Sequence, residues 1–399
     1  MPMSLFRNVK QYVGNNWYDL LTTFFIFTNL FPYYFSSYLY YVGIGMIGYK
    51  YLRIRTNQHF SAGLSIGFLL TIWISSILNL VLDPRLVLFT IVFVLVMPVK
   101  TSKEWHCYKV NLMDNFMWGF VLSTFANYIA KEMGINTAIL DIDLTYYNWE
   151  GEEFAGFCSH PMWTSAAAAI STLYMGFRFF NDRRVSKIIH WGYFAMLLIS
   201  IYVNIAAGSR SAVVFSLASL ALIVMWSADN KRKMTKYMIS LLLLMAFAYP
   251  IYLKNSGAIE KKQIAQEQSG HTSRDEKWGE RIEEFKSSPI YGIGYAAHGV
   301  GFNKSTGRNE TGGGWISILA QSGIIGFCIA VLLWCRAITH SSLLRRHKFM
   351  IVIFGSYVFF TLHSIFEGYM FQGGWYLCLM CWMTVGLLIE YKSYYKYWK

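Results

Sequence analysis

Long apolar runs, separated by short polar segments, follow one another along the whole chain. A helix that crosses a bilayer takes about 20 predominantly apolar residues. The runs are too uniformly apolar for the alternating strands of a transmembrane barrel. The pattern therefore predicts an all-α, polytopic integral membrane protein, with about twelve transmembrane helices in a single domain over residues 1–399. The predicted spans are residues 18–32, 36–52, 60–81, 86–99, 111–130, 162–180, 188–207, 211–227, 237–253, 314–335, 349–366 and 373–390.

Composition supports a membrane protein. Hydrophobic residues make up 55% of the 399 residues and charged residues only 14%, whereas soluble domains carry about 25% charged residues. A soluble protein this apolar could not cover its surface with polar groups. The net charge of +13 does not indicate nucleic acid, because lysines and arginines lie in short clusters between apolar runs. Composition thus excludes an ordinary soluble enzyme, a disordered chain and a nucleic-acid-binding protein.

The basic clusters also predict an orientation. With the N-terminus in the cytoplasm, alternate loops fall inside, and each of these loops carries several lysines or arginines. Most carboxylates fall in the opposite loops, as the positive-inside rule leads us to expect for a chain with both termini cytoplasmic. Residues 254–313, between spans nine and ten, then form a large, lid-like outer loop. Within it, Trp278, Ile282 and Phe285 are spaced like the apolar face of a short amphipathic helix over residues 276–286.

Arg210 is the sharpest candidate for chemistry, because ionisable residues beside membrane helices are costly. It lies in Gly208-Ser209-Arg210-Ser211, at the outer side, where span seven ends and span eight begins. A guanidinium flanked by hydroxyl groups can hold a phosphate through two parallel hydrogen bonds. The alternative is an arginine that only anchors the helix at the membrane interface.

Two further outer-face candidates each have two interpretations. His160 precedes Pro161 at the start of span six, where it either hydrogen-bonds a phosphate or sugar or simply begins the helix. Arg281 lies in the amphipathic stretch, where it either forms a weak surface ion pair with Glu280 or Glu284 or faces inward over the helix ends.

The segment that leads into span ten combines glycines with proton-transfer groups. Gly312-Gly313-Gly314 precedes a helix, where free backbone N–H groups suit an anion, although a flexible linker has the same composition. His298 and Glu310 are the available proton acceptors, and Arg308 adds a cation.

His363 and Glu367 lie four residues apart, which predicts one face of span eleven near its outer end. Such a pair can bind a proton, a metal or a sugar hydroxyl, or form a structural hydrogen bond within the bundle. Two ligands do not make a metal site, and no cluster of His, Cys and carboxylates at metal-binding spacing is visible in the sequence. No metal is therefore expected.

Three segments together resemble a known family. The first is Glu153-Phe154-Ala155-Gly156-Phe157-Cys158-Ser159-His160-Pro161, and the second is Gly208-Ser209-Arg210-Ser211-Ala212. The third runs from Arg281 through Ser288-Pro289-Ile290-Tyr291-Gly292-Ile293-Gly294 to the helix Trp315–Gly326, which ends in Gly-x-x-Gly. Their order, spacing and side of the membrane resemble the bacterial O-antigen polymerase and O-antigen ligase superfamily over roughly residues 150–330.

The resemblance implies a metal-independent, inverting glycosyltransferase without a cofactor, in the bacterial inner membrane with its active site facing the periplasm. It would polymerise repeat units carried on undecaprenyl diphosphate. Catalysis would fall to Arg210, with His298 or Glu310 as the base that takes the acceptor proton. The residues expected to bind substrate are Arg210, Arg281, Arg308, His160, His363 and Glu367.

Partners follow from the same resemblance. They are a lipid-linked oligosaccharide donor and acceptor and membrane lipid, with a flippase and a chain-length regulator as further partners. No nucleic acid is expected.

One position departs from the family pattern. Many members carry a His-Asn pair eleven residues before the first glycine of the last motif, where this chain has Gly312-Gly313. Ligases depend on that histidine, so the departure favours a polymerase over a ligase that transfers the glycan to lipid A–core. A non-enzymatic transporter or flippase is the second alternative, disfavoured because the charged candidates cluster at one face rather than at the midplane.

Overall fold

The computed structural model describes residues 16–31, 34–54, 62–136, 154–182, 185–228, 273–297, 312–338 and 347–394, with isolated positions between 230 and 264. Regular structure in these residues is helical and no strand occurs among them, which confirms the all-α prediction. The helices are α1 (16–27), α2 (Tyr34–Arg53), α3 (Ala62–Leu78), α4 (Pro84–Val96), α5 (Lys103–Glu132), α6 (Pro161–Asn181), α7 (Lys187–Ala206), α8 (Arg210–Ser227), α9 (Ser273–Ser287), α10 (Gly314–Ile338), α11 (Lys348–His363) and α12 (Tyr376–Tyr394).

Local sequence determines where several helices begin. Ser102 accepts a hydrogen bond from the Trp105 backbone N–H and begins α5. Ser186 caps α7 in the same way. Asp83 caps α4, whose first residue is Pro84. Small polar side chains favour these positions because they satisfy N–H groups that have no partner within the helix, and proline there loses no hydrogen bond.

The helix α12 lies at the centre of the bundle, where nearly all of its side chains are buried. It packs against α4, α5, α10 and α11. Trp382 shows the packing: its ring meets Phe93 at 4.9 Å and Trp334 at 5.0 Å between centroids. The helix α6 is buried in a similar way among α5, α7 and α8. Two of the predicted spans are therefore enclosed by protein.

Three of the described helices, α7, α8 and α10, are long and apolar enough to cross a membrane. The helices α3, α4 and α11 are apolar but shorter. Large apolar side chains project outward from these helices, as Leu332 does from α10. These features support a membrane protein. The number of twelve spans and the orientation remain predictions, since span nine and much of the 254–313 loop lie outside the described residues.

The start of α5 corrects one detail of the charge pattern. The predicted spans 86–99 and 111–130 leave Lys109 in a basic loop between them on the cytoplasmic side, but α5 begins at Lys103 and Lys109 is only 1% exposed. Its ammonium donates to the Val96 carbonyl at 2.9 Å and to the Glu390 carboxylate at 2.7 Å. His106 lies 2.9 Å from the other Glu390 oxygen. The three buried side chains, Lys109, His106 and Glu390, thus join the start of α5 to the end of α12. The charges are paired because a buried charge without a partner would be too costly.

Candidate functional site

Arg210 is the first residue of α8 and its side chain is exposed. The chain turns into α8 at Gly208, whose φ of 72° favours glycine. No described residue forms an ion pair with Arg210. We call the end of the bundle at which α8 and α10 begin the Arg210 end. An exposed guanidinium at a fixed backbone position there is available to an anionic ligand.

Close packing at two glycines holds α8 in place. A Cβ atom at Gly176 in α6 would collide with Leu220, and one at Gly355 in α11 would collide with Ile223. Both of these α8 side chains are buried. The helix that begins at Arg210 is therefore held between α6 and α11, which fixes where the guanidinium emerges.

Trp278 joins α9 to this end of the bundle. Its indole N–H donates to the Gly312 carbonyl at 2.8 Å. Its ring stacks on Phe366, in the turn after α11, at 6.1 Å between centroids, and Phe366 stacks on Phe215 of α8 at 5.9 Å. The three rings, which we call the aromatic stack, bring together α9, α8 and the turn after α11, and the Trp278 hydrogen bond adds the segment that precedes α10. Stacked ring faces of this kind suit the apolar face of a sugar.

Arg281 is buried rather than at the surface. It is 4% exposed, and its Nη1 donates to the equally buried carboxylate of Glu284 at 2.6 Å. The prediction of an amphipathic helix is confirmed, but its face is rotated: Ile282, expected inward, is 43% exposed. The ion pair explains the difference, because a neutralised pair can occupy the inner face that a lone charge cannot. Arg281 lies one turn from Trp278, on the same side of α9.

The run Gly312–Gly314 is a close-packed turn. Gly312 has a φ of 65°, and a Cβ atom there would lie 3.0 Å from Lys277 and 3.1 Å from Trp278. A Cβ at Gly313 would collide with the Ile365 carbonyl. The Gly314 N–H, expected to be free for an anion, donates instead to the Ser364 carbonyl at 2.7 Å. The glycines are thus required by backbone conformation and by the approach of the turn after α11.

The segment 289–294 is inserted into a break in α10, and we call this arrangement the clasp. Gly323 has φ 65° and ψ −173°, so the helix is interrupted there. The Ile324 N–H, which would bond Ala320 in a regular helix, donates to the Pro289 carbonyl at 2.9 Å. The Ala320 carbonyl accepts instead from Ile293 at 3.0 Å. The loop therefore replaces the hydrogen bond that the helix loses.

Side chains around the clasp complete these bonds. The Gln321 carbonyl accepts from Gly294 at 3.2 Å and from the Ser75 hydroxyl at 2.8 Å. The Gln321 side-chain oxygen accepts from Ala296 at 3.0 Å. Asn79, the residue that follows α3, donates to the Gly292 carbonyl at 2.9 Å. The clasp thus ties the segment after α9 to both α10 and α3.

His160 caps α6. Its Nδ1 accepts from the Met162 backbone N–H at 3.1 Å, and Pro161 is the first helical residue. This geometry matches the interpretation of a histidine that begins a helix. A substrate contact through the other ring nitrogen stays a prediction.

His363 and Glu367 do not share a helix face, because α11 ends at His363. The Glu367 N–H still donates to the His363 carbonyl at 3.0 Å across the following turn. The His363 ring is fully buried, stacks on Phe359 at 4.9 Å and lies 3.3 Å from the Tyr369 hydroxyl. His363 therefore has the structural role within the bundle that was the alternative to ligand binding. A role for His363 or Glu367 in substrate binding stays a prediction.

His298, Arg308 and Glu310 lie outside the described residues. Both candidate bases and the third arginine therefore have no structural test. Among the residues that the structure describes, no group of three or more His, Cys, Asp or Glu side chains is placed to hold a metal ion. That finding does not extend to the segment 298–311.

The sequence named Glu284 as one of two surface partners of Arg281 but did not predict that the pair is buried, and it gave no indication of Phe215 and Phe366 in the aromatic stack. The i,i+3 spacing of Arg281 and Glu284 is a usable signal, since oppositely charged residues at that spacing meet on a helix. Phe215 and Phe366 lie far apart in sequence, and only the packing of α8 against α11 brings them together.

Comparison with known proteins agrees with the geometry. No curated protein sequence matches the chain. Residues 195–331 match a family model described as O-antigen ligase. The matched segment contains Arg210, Phe215, α9 with Arg281, the clasp and the Gly312–Gly314 turn, whereas His160 and the turn after α11 lie outside it. Residues 195–331 are therefore similar to the O-antigen ligase domain, which agrees with the resemblance of the sequence motifs to the O-antigen ligase and polymerase superfamily.

Proposed function

We propose that this protein is a polymerase of a bacterial surface polysaccharide. It joins repeat units carried on undecaprenyl diphosphate at the periplasmic face of the inner membrane, in O-antigen biosynthesis. One observation carries the proposal: the Arg210 end combines an exposed arginine at a fixed helix start, a buried arginine on α9 and the aromatic stack, which joins α8 and α9 to the turn after α11. Cations suit a diphosphate, and ring faces suit sugars.

The proposed reaction is an inverting displacement that needs no metal. The acceptor hydroxyl oxygen forms a bond to the anomeric carbon of the donor sugar, and the bond from that carbon to the diphosphate breaks. The leaving diphosphate gains charge, which Arg210 and Arg281 stabilise. His298 or Glu310 takes the proton of the hydroxyl. Glu284 orients Arg281, because the buried pair fixes the guanidinium of a long side chain.

The packing of the glycine turn favours a polymerase over a ligase. The position at which many members of the superfamily carry a His-Asn pair is Gly312-Gly313 in this chain. Gly312 adopts a φ of 65°, and a side chain at Gly313 would collide with the Ile365 carbonyl. A Cβ atom at Gly312, the position of the histidine on which ligases depend, would be strained by the positive φ and would lie 3.0 Å from Lys277 and 3.1 Å from Trp278, so the turn of this chain favours glycine there.

The clasp argues against the alternative that the protein is a transporter. Transporters use the unpaired backbone groups of broken helices to hold substrates and ions. Here the break in α10 at Gly323 is filled by the chain itself, since segment 289–294 takes up the backbone groups that the break releases. This argues for a rigid anchor of the α9 segment rather than a transport site.

The deciding experiment is the length distribution of the surface glycan in a deletion strain, displayed on a gel. A polymerase deletion leaves caps of a single repeat unit, and plasmid-borne protein restores the ladder. A deletion of a ligase or of a flippase leaves bare core without any repeat unit. That pattern would replace the polymerase assignment.

A further inference from the structure

A cleft of about 490 Å³ opens at the end of the bundle opposite Arg210. It lies between the end of α6, the start of α7 and the helical residues 234–237. Because α7 has 20 residues and ends just before Arg210, the cleft is separated from the proposed active site by the length of that helix, about 30 Å. It is therefore distinct from the glycan site.

Aromatic rings form the floor of the cleft. Phe179 stacks on His190 at 4.6 Å between ring centroids. Tyr237 packs on Phe180 at 4.9 Å, and its hydroxyl donates to the Phe180 carbonyl at 3.4 Å. Trp191, which also lines the cleft, is 62% exposed at its edge. An aromatic floor with an exposed indole is typical of surfaces at the boundary between lipid and water.

The polar groups of the cleft favour an anion. Lys187, the first residue of α7, and Lys236 both line it, and both are exposed. Neither forms an ion pair with a described residue, and no carboxylate is among the described residues of the lining. The Nδ1 atom of His190 is buried without a hydrogen-bond partner in the described part of the chain. The N-terminus of α7 adds partial positive charge.

We propose that this cleft binds the phosphate of an anionic phospholipid headgroup. The two lysines hold the phosphate beside His190, which also lines the cleft, and the acyl chains run along the exposed apolar side of α7. Ile188, beside Lys187, is 85% exposed and extends the apolar surface from the cleft onto the helix. A soluble phosphate compound shares the anionic chemistry, but it would leave the apolar surface beside the lysines uncovered.

The test measures lipid retention by native mass spectrometry of the full chain, purified in detergent and offered phosphatidylglycerol or phosphatidylcholine. We expect the unmodified protein to retain one phosphatidylglycerol molecule. The Lys187→Gln/Lys236→Gln variant should not retain it. Two lysine contacts with an anionic lipid correspond to a roughly thirtyfold change in affinity. The matched control is Lys348→Gln/Lys392→Gln, which removes two exposed lysines, one of them also the first residue of a helix. It should retain the lipid.

Three results would overturn the proposal. The first is equal retention of phosphatidylcholine, which would show that charge does not select the ligand. The second is unchanged retention in the Lys187→Gln/Lys236→Gln variant. The third is binding of glycerol phosphate that is as tight as binding of phosphatidylglycerol and displaces it, which would assign the cleft to a soluble phosphate. Thermal unfolding in detergent confirms that both double variants are folded.

Discussion

At the scale of single residues, the two arginines of the proposed active site differ in their surroundings. Arg210 is exposed at a helix start, whereas Arg281 is buried against Glu284. An exposed arginine contributes little to stability, because water already solvates its charge. A buried one must keep its partner, because an uncompensated charge in the interior is costly. Mutations at the two positions should therefore have different effects on folding and on activity.

We predict that Arg210→Lys abolishes long polymer while the protein still accumulates. Lysine keeps the charge but lacks the planar fork that holds a diphosphate. Loss of one preorganised donor costs about 2–4 kcal/mol of transition-state stabilisation, roughly a hundredfold or more in rate. The measurement is polymer length on a gel in a complemented deletion strain, with protein quantified by immunoblot.

The matched control is Arg85→Lys, a change at another exposed arginine near a helix start, in α4. Its ladder should be normal. Full-length polymer from Arg210→Lys at normal protein level would show that Arg210 is only an interfacial anchor, since lysine reaches the interface as well as arginine does.

The buried pair allows stability and activity to be separated. Glu284→Leu should destabilise the protein by about 3–5 kcal/mol, because it removes the carboxylate that lies 2.6 Å from the buried Arg281 guanidinium. Exchange of the two residues, Arg281→Glu with Glu284→Arg, keeps a neutral pair and should recover much of the thermal stability in detergent. If Arg281 binds the diphosphate, the exchanged protein stays inactive. Recovery of the ladder together with stability would assign the pair a structural role alone.

At the scale of elements, the clasp shows how two short motifs depend on each other. Gly292 has a φ of 78°, and a Cβ there would lie 2.5 Å from the Gly323 nitrogen. A Cβ at Gly323 would lie 2.6 Å from the Gly292 nitrogen. The backbone at each glycine therefore occupies the space that a Cβ atom at the other glycine would need. Because α9 precedes this loop, the clasp positions Arg281 relative to α10.

We predict that Gly323→Ala destabilises the protein and releases the α9 segment. The φ and ψ of Gly323 are accessible essentially to glycine alone, which costs about 1–3 kcal/mol for another residue before any collision with segment 289–294. The measurements are thermal unfolding in detergent and the rate of limited proteolysis between α8 and α10.

Gly279→Ala in α9 is the control, because a Cβ there meets nothing within 4 Å. Alanine is the better helix former, so this change should be neutral or slightly stabilising. Equal stability and equal proteolysis of the two variants would show that the clasp tolerates a side chain and does not hold the segment.

At the scale of the whole molecule, the charge pattern predicts an orientation in the membrane, and a labelling experiment tests it. Cysteine introduced at Ala265 or Thr145 should react with an impermeant reagent in cells with a permeabilised outer membrane, whereas cysteine at Lys233 should not. The reason is the excess of lysine and arginine in alternate loops. A background without the six native cysteines is needed, since Cys328 and Cys335 are exposed. Labelling at position 233 in intact cells would reverse the proposed topology.

The sequence by itself determined the helical class and the amphipathic helix over residues 276–286, and it predicted a membrane protein and the resemblance of three segments to the superfamily. These follow from local periodicity, composition and spacing, which are properties of neighbouring residues. It also pointed to the start of α8 as a site for a cation, because Arg210 lies between two spans whose ends are visible in the hydrophobic pattern.

Only the tertiary structure decided what the candidate residues contact. It placed Arg281 inward with Glu284, ended α11 before Glu367 and buried Lys109 against Glu390, almost three hundred residues away. It also showed that the glycines of the last motif form a clasp and a close-packed turn. The physical reason is that burial and hydrogen-bond pairing depend on which helices meet, and residues distant along the chain meet only when the bundle is packed.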